Sequence, residues 1–214
     1  MSTGLDSAFR AWLESDTFTC LGARASLHRG ELVTREYARM GDTADTQQLY
    51  ADLAAFLAEG PRPGGFHSFA ALFTEPGPVD EEGFEKVLWQ QLGELHELDR
   101  DGFGWAPDAS TDPEDPMFAF SLAGHPVFVI GLHPYSSRIS RRFRAPALVF
   151  NSHRQFAELK EQGRWPRLQH AIRRRELLVQ GSVNPMLSDY GEASEAPQYS
   201  GRAVPADWRC PFAL

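Results

Sequence analysis

Apolar residues recur at helical spacing from the start of the chain. Leu5, Phe9, Trp12 and Leu13 share one face, which predicts a helix over Leu5 to Glu14. Cys20 to Leu27 reads as a second short helix ending before Gly30, and Thr46 to Ala58 as a third, with Leu49, Leu53, Phe56 and Leu57 on one side and Gly60-Pro61 as its stop. Beyond the loop Pro61-Arg62-Pro63-Gly64-Gly65, the run Phe66 to Phe73 predicts a strand, broken by Glu75-Pro76-Gly77-Pro78. Asp80 to Leu98 carries the clearest helical pattern. Its first turn is acidic (Asp80, Glu81, Glu82), which suits the helix dipole, and Phe84, Val87, Leu88, Leu92 and Leu95 form a buried stripe.

Asp99 to Pro116 is polar and Pro-containing, long enough to serve as a lid or surface insertion. Met117 to Leu122 and Val127 to Leu132 then read as paired strands joined by a hairpin at Ala123-Gly124-His125-Pro126. Ala147 to Asn151 supplies a further strand. Ser152 caps a helix running from His153 to Glu161, and Leu168 to Val179 is helical and basic at Arg173, Arg174 and Arg175. Residues 180–214 show no sustained period, yet they include Met186, Leu187, Tyr199, Trp208 and Phe212, which favour folding back over the body. The expected fold is α+β (mixed α/β): one domain over 1–214 with a central sheet, at least one hairpin, flanking helices, and an irregular 180–214 tail contributing to a site.

Composition narrows the function. The chain has 214 residues and a formal net charge of -8, which argues against nucleic acid as the main partner. Two cysteines are too few for a disulfide framework. No apolar run approaches the roughly 20 residues that span a bilayer, and no signal peptide is evident, so a cytoplasmic protein without a membrane partner is expected. Fifteen Phe and five Trp are enough to line a large apolar pocket as well as a core.

Against the acidic background, Gly131-Leu132-His133-Pro134-Tyr135-Ser136-Ser137-Arg138-Ile139-Ser140-Arg141-Arg142-Phe143 sets a histidine beside a knot of arginines that continues to Arg144. A neutral imidazole next to concentrated positive charge suits a cofactor that needs an axial ligand and carries carboxylates or phosphates. His153 likewise follows an apolar run, and if the two strands are neighbours both imidazoles open onto one end of the sheet. Plainer roles stand beside these: a histidine bonded into a turn or helix start, and a solvated basic turn. No His-x-x-x-His or Cys-x-x-Cys spacing points to zinc. Cys20, near a helix start, is either a thiolate ligand or a small buried side chain. The tail acids Asp189, Glu192 and Glu195 either hold a cationic substrate or are ordinary loop acids.

Several blocks are more specific. Phe18-Thr19-Cys20-Leu21-Gly22-Ala23, Gly131-Leu132-His133-Pro134 with Ser137-Arg138 and Arg141-Arg142-Phe143, Phe150-Asn151-Ser152-His153-Arg154-Gln155-Phe156, Gln180 to Leu187, Ser194-Glu195-Ala196, Gln198 to Arg202 and Trp208 to Phe212 together resemble the YqcI/YcgG-like family. The resemblance runs from about residue 18 onward. It implies a haem b-dependent monooxygenase that uses O2 and an electron donor to N-hydroxylate a guanidino or amino group of arginine or a related small metabolite, in natural-product biosynthesis. On that reading the haem iron is ligated by His133, ahead of His153 and then Cys20, with Ser137, Arg138, Arg141 and Arg142 beside the cofactor. Asn184, Asp189, Glu192 and Glu195 would face the substrate. The family motif Asn-Pro-His appears here as Asn151-Ser152-His153, which preserves the helix-start role and keeps His153 a candidate. Its Gln-Phe-Glu appears as Gln155-Phe156-Ala157 and an Arg-Asp pair as Arg175-Glu176, two changes expected to alter the substrate pocket, so that a relative of arginine stands beside arginine as substrate. A non-catalytic haem sensor or carrier, and a haem-free binder of an anionic metabolite, are the alternatives. The oligomeric state is open, with a homodimer as one option.

Overall fold

The structure, a computed structural model, describes residues 4–212. Along them run α1 (Leu5–Glu14), α2 (Leu21–His28), β1 (Leu32–Tyr37), α3 (Thr43–Glu59), β2 (Ser68–Phe73), α4 (Glu81–Asp99), β3 (Phe120–Leu122), β4 (His125–Leu132), β5 (Ala147–Ser152), α5 (His153–Glu161) and α6 (Trp165–Gln180). The sheet order is β1-β2-β5-β4-β3. β1 and β2 are parallel; every other neighbouring pair is antiparallel. This is the mixed α+β class that the hydrophobic pattern implies.

The starts of α3, α4 and α5 follow their capping chemistry. Asp42 accepts from the backbone N–H groups of Ala44 and Asp45, Asp80 from Gly83, and Ser152 from Arg154. Because Asp42 is the cap, α3 begins at Thr43 rather than Thr46. The hairpin turn is only Ala123-Gly124, both with positive φ (50° and 71°), which sets Leu122 opposite His125. β1 escapes the apolar-run criterion because Thr34, Arg35 and Glu36 interrupt it at the sheet edge.

Strand alternation sorts side chains onto two faces. Val127 and Val129 of β4, Leu148 and Phe150 of β5, and Phe69, Ala71 and Phe73 of β2 pack against α3 and α4, where Leu49, Leu53, Phe84, Leu88 and Leu92 are fully buried. Ala70, Leu72, Leu132, Ala147 and Val149 face the other way, toward Leu5, Phe9 and Leu13 of α1. The tail folds back, as its apolar content requires. The Tyr199 carbonyl accepts from Gly131 N–H at 2.7 Å, Tyr190 OH donates to the Met117 carbonyl at 2.8 Å, and Phe212 joins Trp89, Trp105, Phe118 and Phe120 in an aromatic cluster.

Candidate functional site

On the α1 side of the sheet the layers do not close, leaving a cavity of about 560 Å³, a size usual for small-molecule sites. Its floor is Phe128, Ile130 and Leu132 of β4 with Val149 and Asn151 of β5; Phe9, Leu13 and Phe18 wall one side. α5 presents His153, Phe156, Ala157 and Lys160, and α6 presents Trp165, Leu168, Gln169, Ile172, Arg173 and Glu176, both at three- and four-residue spacing. Along α6 only Glu176 is buried, so this helix roofs the cavity rather than joining the core. The tail closes the remaining side with Asn184, Leu187, Ser188, Asp189, Tyr190, Glu195 and Gln198.

His153 stands where β5 turns into α5. Its Nε2 lies 3.0 and 3.2 Å from the two oxygens of Glu195, whose side chain is only 4% exposed. Tyr199 OH donates to the same carboxylate at 2.5 Å and accepts from Phe120 N–H at 3.0 Å. Burial raises the Glu195 pKa, opposed by its bonds to His153 and Tyr199. Burial, reinforced by Glu195, also raises Tyr199 well above the ordinary phenol range, so it remains a neutral donor. Tyr190 packs edge-on to the imidazole, with ring centroids 4.7 Å apart.

The two singled-out histidines do not meet. β4 and β5 are indeed neighbours, but antiparallel, and Val127 pairs with Ser152 while Leu132 pairs with Ala147. The end of β4 therefore lies beside the start of β5, which separates His133 and His153 by roughly 20 Å of strand. They also differ in face. His133 continues the odd-numbered side of β4 and stacks on Phe84 of α4, 4.2 Å between centroids. It is 1% exposed, its Nδ1 has no partner, and burial holds its pKa down to about 4, with Arg141 adding to the effect and Glu81 and Asp80 opposing it. It does not line the cavity.

The arginine cluster is tied to the protein itself. Arg138 donates to Glu176 and to the Ser182 hydroxyl and carbonyl, bracing α6. Arg141 donates to the carbonyls of Gly131, Tyr199 and Gln198, and burial lowers its pKa to about 10. Both line the cavity, but with guanidiniums already engaged. Arg142 donates to the carbonyls of Ser136 and Ser137, and Ser137 donates its N–H and hydroxyl to Glu81; neither residue lines the cavity. Cys20 does line it, at the N-cap of α2, with burial pushing its thiol pKa up, so it sits there as a neutral thiol.

Of the tail residues, Asn184, Asp189 and Glu195 reach the cavity wall, and Glu192 is exposed away from it. Asp189 accepts from Gln169 at 2.6 Å. Arg154, Lys160 and Arg173, which the sequence pattern did not assign to a site, line the cavity and make no side-chain hydrogen bond or ion pair to another described residue. Asp108, likewise unassigned from the sequence, is brought to the wall by the 99–116 loop. Helical spacing from His153 would have flagged Lys160; nothing local flags Asp108. The wall thus holds five basic residues (Arg138, Arg141, Arg154, Lys160, Arg173) against four acids (Asp108, Glu176, Asp189, Glu195), in a chain of net charge -8. Gln155, also on the wall, keeps a buried side-chain oxygen without a partner.

Among the described residues no group of three or more His, Cys, Asp or Glu side chains is placed to hold a bare metal ion. A porphyrin asks less of the chain, since it supplies the equatorial ligands itself. One imidazole backed by a carboxylate, apolar walls and unpaired cations make a donor set that fits it. No helix is long and apolar enough to cross a membrane among the described residues. The model of the YqcI/YcgG family matches residues 9–213. No curated protein and no solved structure matches the chain.

Proposed function

Since the chain belongs to the YqcI/YcgG family, we propose that its cavity holds haem b and that the protein N-hydroxylates a guanidino or amino group of arginine or a related small metabolite. The observation that carries the reading is the cavity of about 560 Å³ with a carboxylate-backed imidazole on its wall. His153 takes the ligand role in place of His133, and Arg154, Lys160 and Arg173 are the groups available to the propionates. Haem bound there supplies the binding and reductive activation of O2. Overall, one oxygen atom ends in N–OH and the other in water, with both electrons drawn from a separate donor.

The chain's own residues do the rest. Phe128, Ile130, Leu132, Phe156, Leu168 and Ile172 keep bulk water from the reacting atoms. Glu195 is already engaged by His153 and Tyr199, so a cationic substrate group falls to Asp108 and Asp189 on the wall beside Tyr190.

Hemin titration followed by absorbance tests the proposal. Wild type and His133→Ala are expected to develop a Soret band, and His153→Ala to lose or shift it. With a reductant and O2, the loaded wild type should then consume arginine or a close analogue. A wild-type protein that stays colourless removes the haem reading. Three unpaired cations on the wall would then favour the haem-free binder of an anionic metabolite.

A further inference from the structure

Glu195 sits in a place that neither a loop acid nor a substrate clamp explains. Ser194, whose hydroxyl donates to the Pro113 carbonyl at 2.6 Å and accepts from Ala196 N–H at 3.2 Å, pins the start of a short 3-10 turn over Ala196–Gln198. That turn buries Ala196 and Tyr199 in the α3/α4-side core. Tyr199 is held by its ring in that core, by Phe120 N–H at its hydroxyl, and by Gly131 N–H and Arg141 at its carbonyl. One helical turn earlier, Glu195 is thereby fixed within reach of His153 on the opposite side of the sheet. A buried carboxylate anchored this way is a rigid reference point for the imidazole.

The bond also decides which imidazole nitrogen carries the proton. Tyr199 OH already donates to Oε1, and an ionised Glu195 only accepts, so its bond to His153 is made by a hydrogen on Nε2. Nδ1 of His153 has no hydrogen-bond partner among the described residues. It is not among the sealed partnerless atoms either, unlike Nδ1 of His133. It is thus an unsealed, partnerless atom on a side chain that lines the cavity.

We infer that Glu195 is a positioning residue: it fixes His153 as the Nε2–H tautomer and offers the Nδ1 lone pair to whatever the cavity binds. The tautomer stands independently of the haem reading; only its consequence for haem affinity rests on that reading. Carboxylate partners of ligating histidines raise ligand basicity and hold the ring, and losing one typically costs 10–100-fold in affinity.

Two measurements on the full-length protein test this. Nitrogen-15 imidazole correlation spectra of the haem-free wild type, with His153→Gln used to assign the ring, should show His153 protonated at Nε2. Predominant protonation at Nδ1 overturns the inference. Hemin titration of Glu195→Gln should give an affinity about 10–100-fold weaker than wild type and a shifted Soret band, and Glu195→Asp should recover part of the loss. Should Glu195→Gln fail to fold, Tyr199→Phe removes one anchor and is expected to leave His153 as a mixture of tautomers. Hemin affinity unchanged in Glu195→Gln, while His153→Ala abolishes binding, overturns the positioning role and leaves the haem reading intact. A wild type that takes up no hemin, yet shows His153 protonated at Nε2, does the reverse.

Discussion

Replacing Glu176 by Gln keeps the shape of the roof helix and removes one charge. In the native protein the Arg138 guanidinium and the Glu176 carboxylate are 9% and 8% exposed, and Arg138 Nε is buried without any partner. The variant therefore strands a buried cation. Breaking one side of a buried ion pair costs about 3–5 kcal/mol. Arg138 retains its bonds to Ser182 Oγ (3.0 Å) and to the Ser182 carbonyl (2.6 Å), so the lower end, about 3 kcal/mol, is expected. For a chain of this length that corresponds to a fall in melting temperature of roughly 6–12 °C. Differential scanning calorimetry of the purified protein measures it. Arg138→Met combined with Glu176→Leu should regain most of the loss, because apolar residues of similar size satisfy a dry site without a charge to compensate. A Glu176→Gln protein melting within about 2 °C of wild type would refute the argument that this pair braces α6.

Two further outcomes concern the other end of the sheet. An unfolded histidine titrates near 6.5 and His133 in the folded chain at about 4, so between those values the unfolded state binds a proton that the native state does not. Stability fully present above about pH 6.5 is thus lost as the pH falls toward 4, by about 3 kcal/mol in all. Urea unfolding of His133→Leu across that window should show a shallower decline than wild type, and parallel declines would exclude His133 as the cause. Gly131→Ala would set a Cβ 2.6 Å from Phe84 Cε1 and 2.8 Å from Leu88 Cδ1, in a packed layer. Overpacking of this kind costs about 1–3 kcal/mol, visible as a lower urea midpoint, and an unchanged midpoint would mean that α4 yields freely.

Much of the fold was legible because the apolar spacing of α1, α3, α4 and β5 is strong and local. The capping serine at Ser152 and the existence of a hairpin after Leu122 were readable for the same reason, although His125 and Pro126, read as part of its connector, belong to β4. β1 was not, since an edge strand carrying Arg35 and Glu36 has little apolar pattern to betray it. The site was half legible. His153, Asp189, Asn184, Glu195, Arg138, Arg141 and Cys20 do surround one cavity. What a sequence withholds is register and strand direction, and these set His133 and His153 at opposite ends and on opposite faces of the sheet. Partner choice is equally hidden. An arginine cluster looks the same in sequence whether it grips a ligand or, as with Arg141, three backbone carbonyls of its own chain.

The dependence of His153 on Glu195 and Tyr199 orders events during synthesis. On the ribosome, β4, β5 and α5 emerge well before residues 195–199, so the imidazole exists for a time with no carboxylate beside it and with Gly131 N–H unsatisfied. Domains generally fold as units. The nascent sheet must therefore wait, open on its cavity side, until residues 195–199 arrive to latch it, and a small molecule present in that interval meets a pocket that has yet to close.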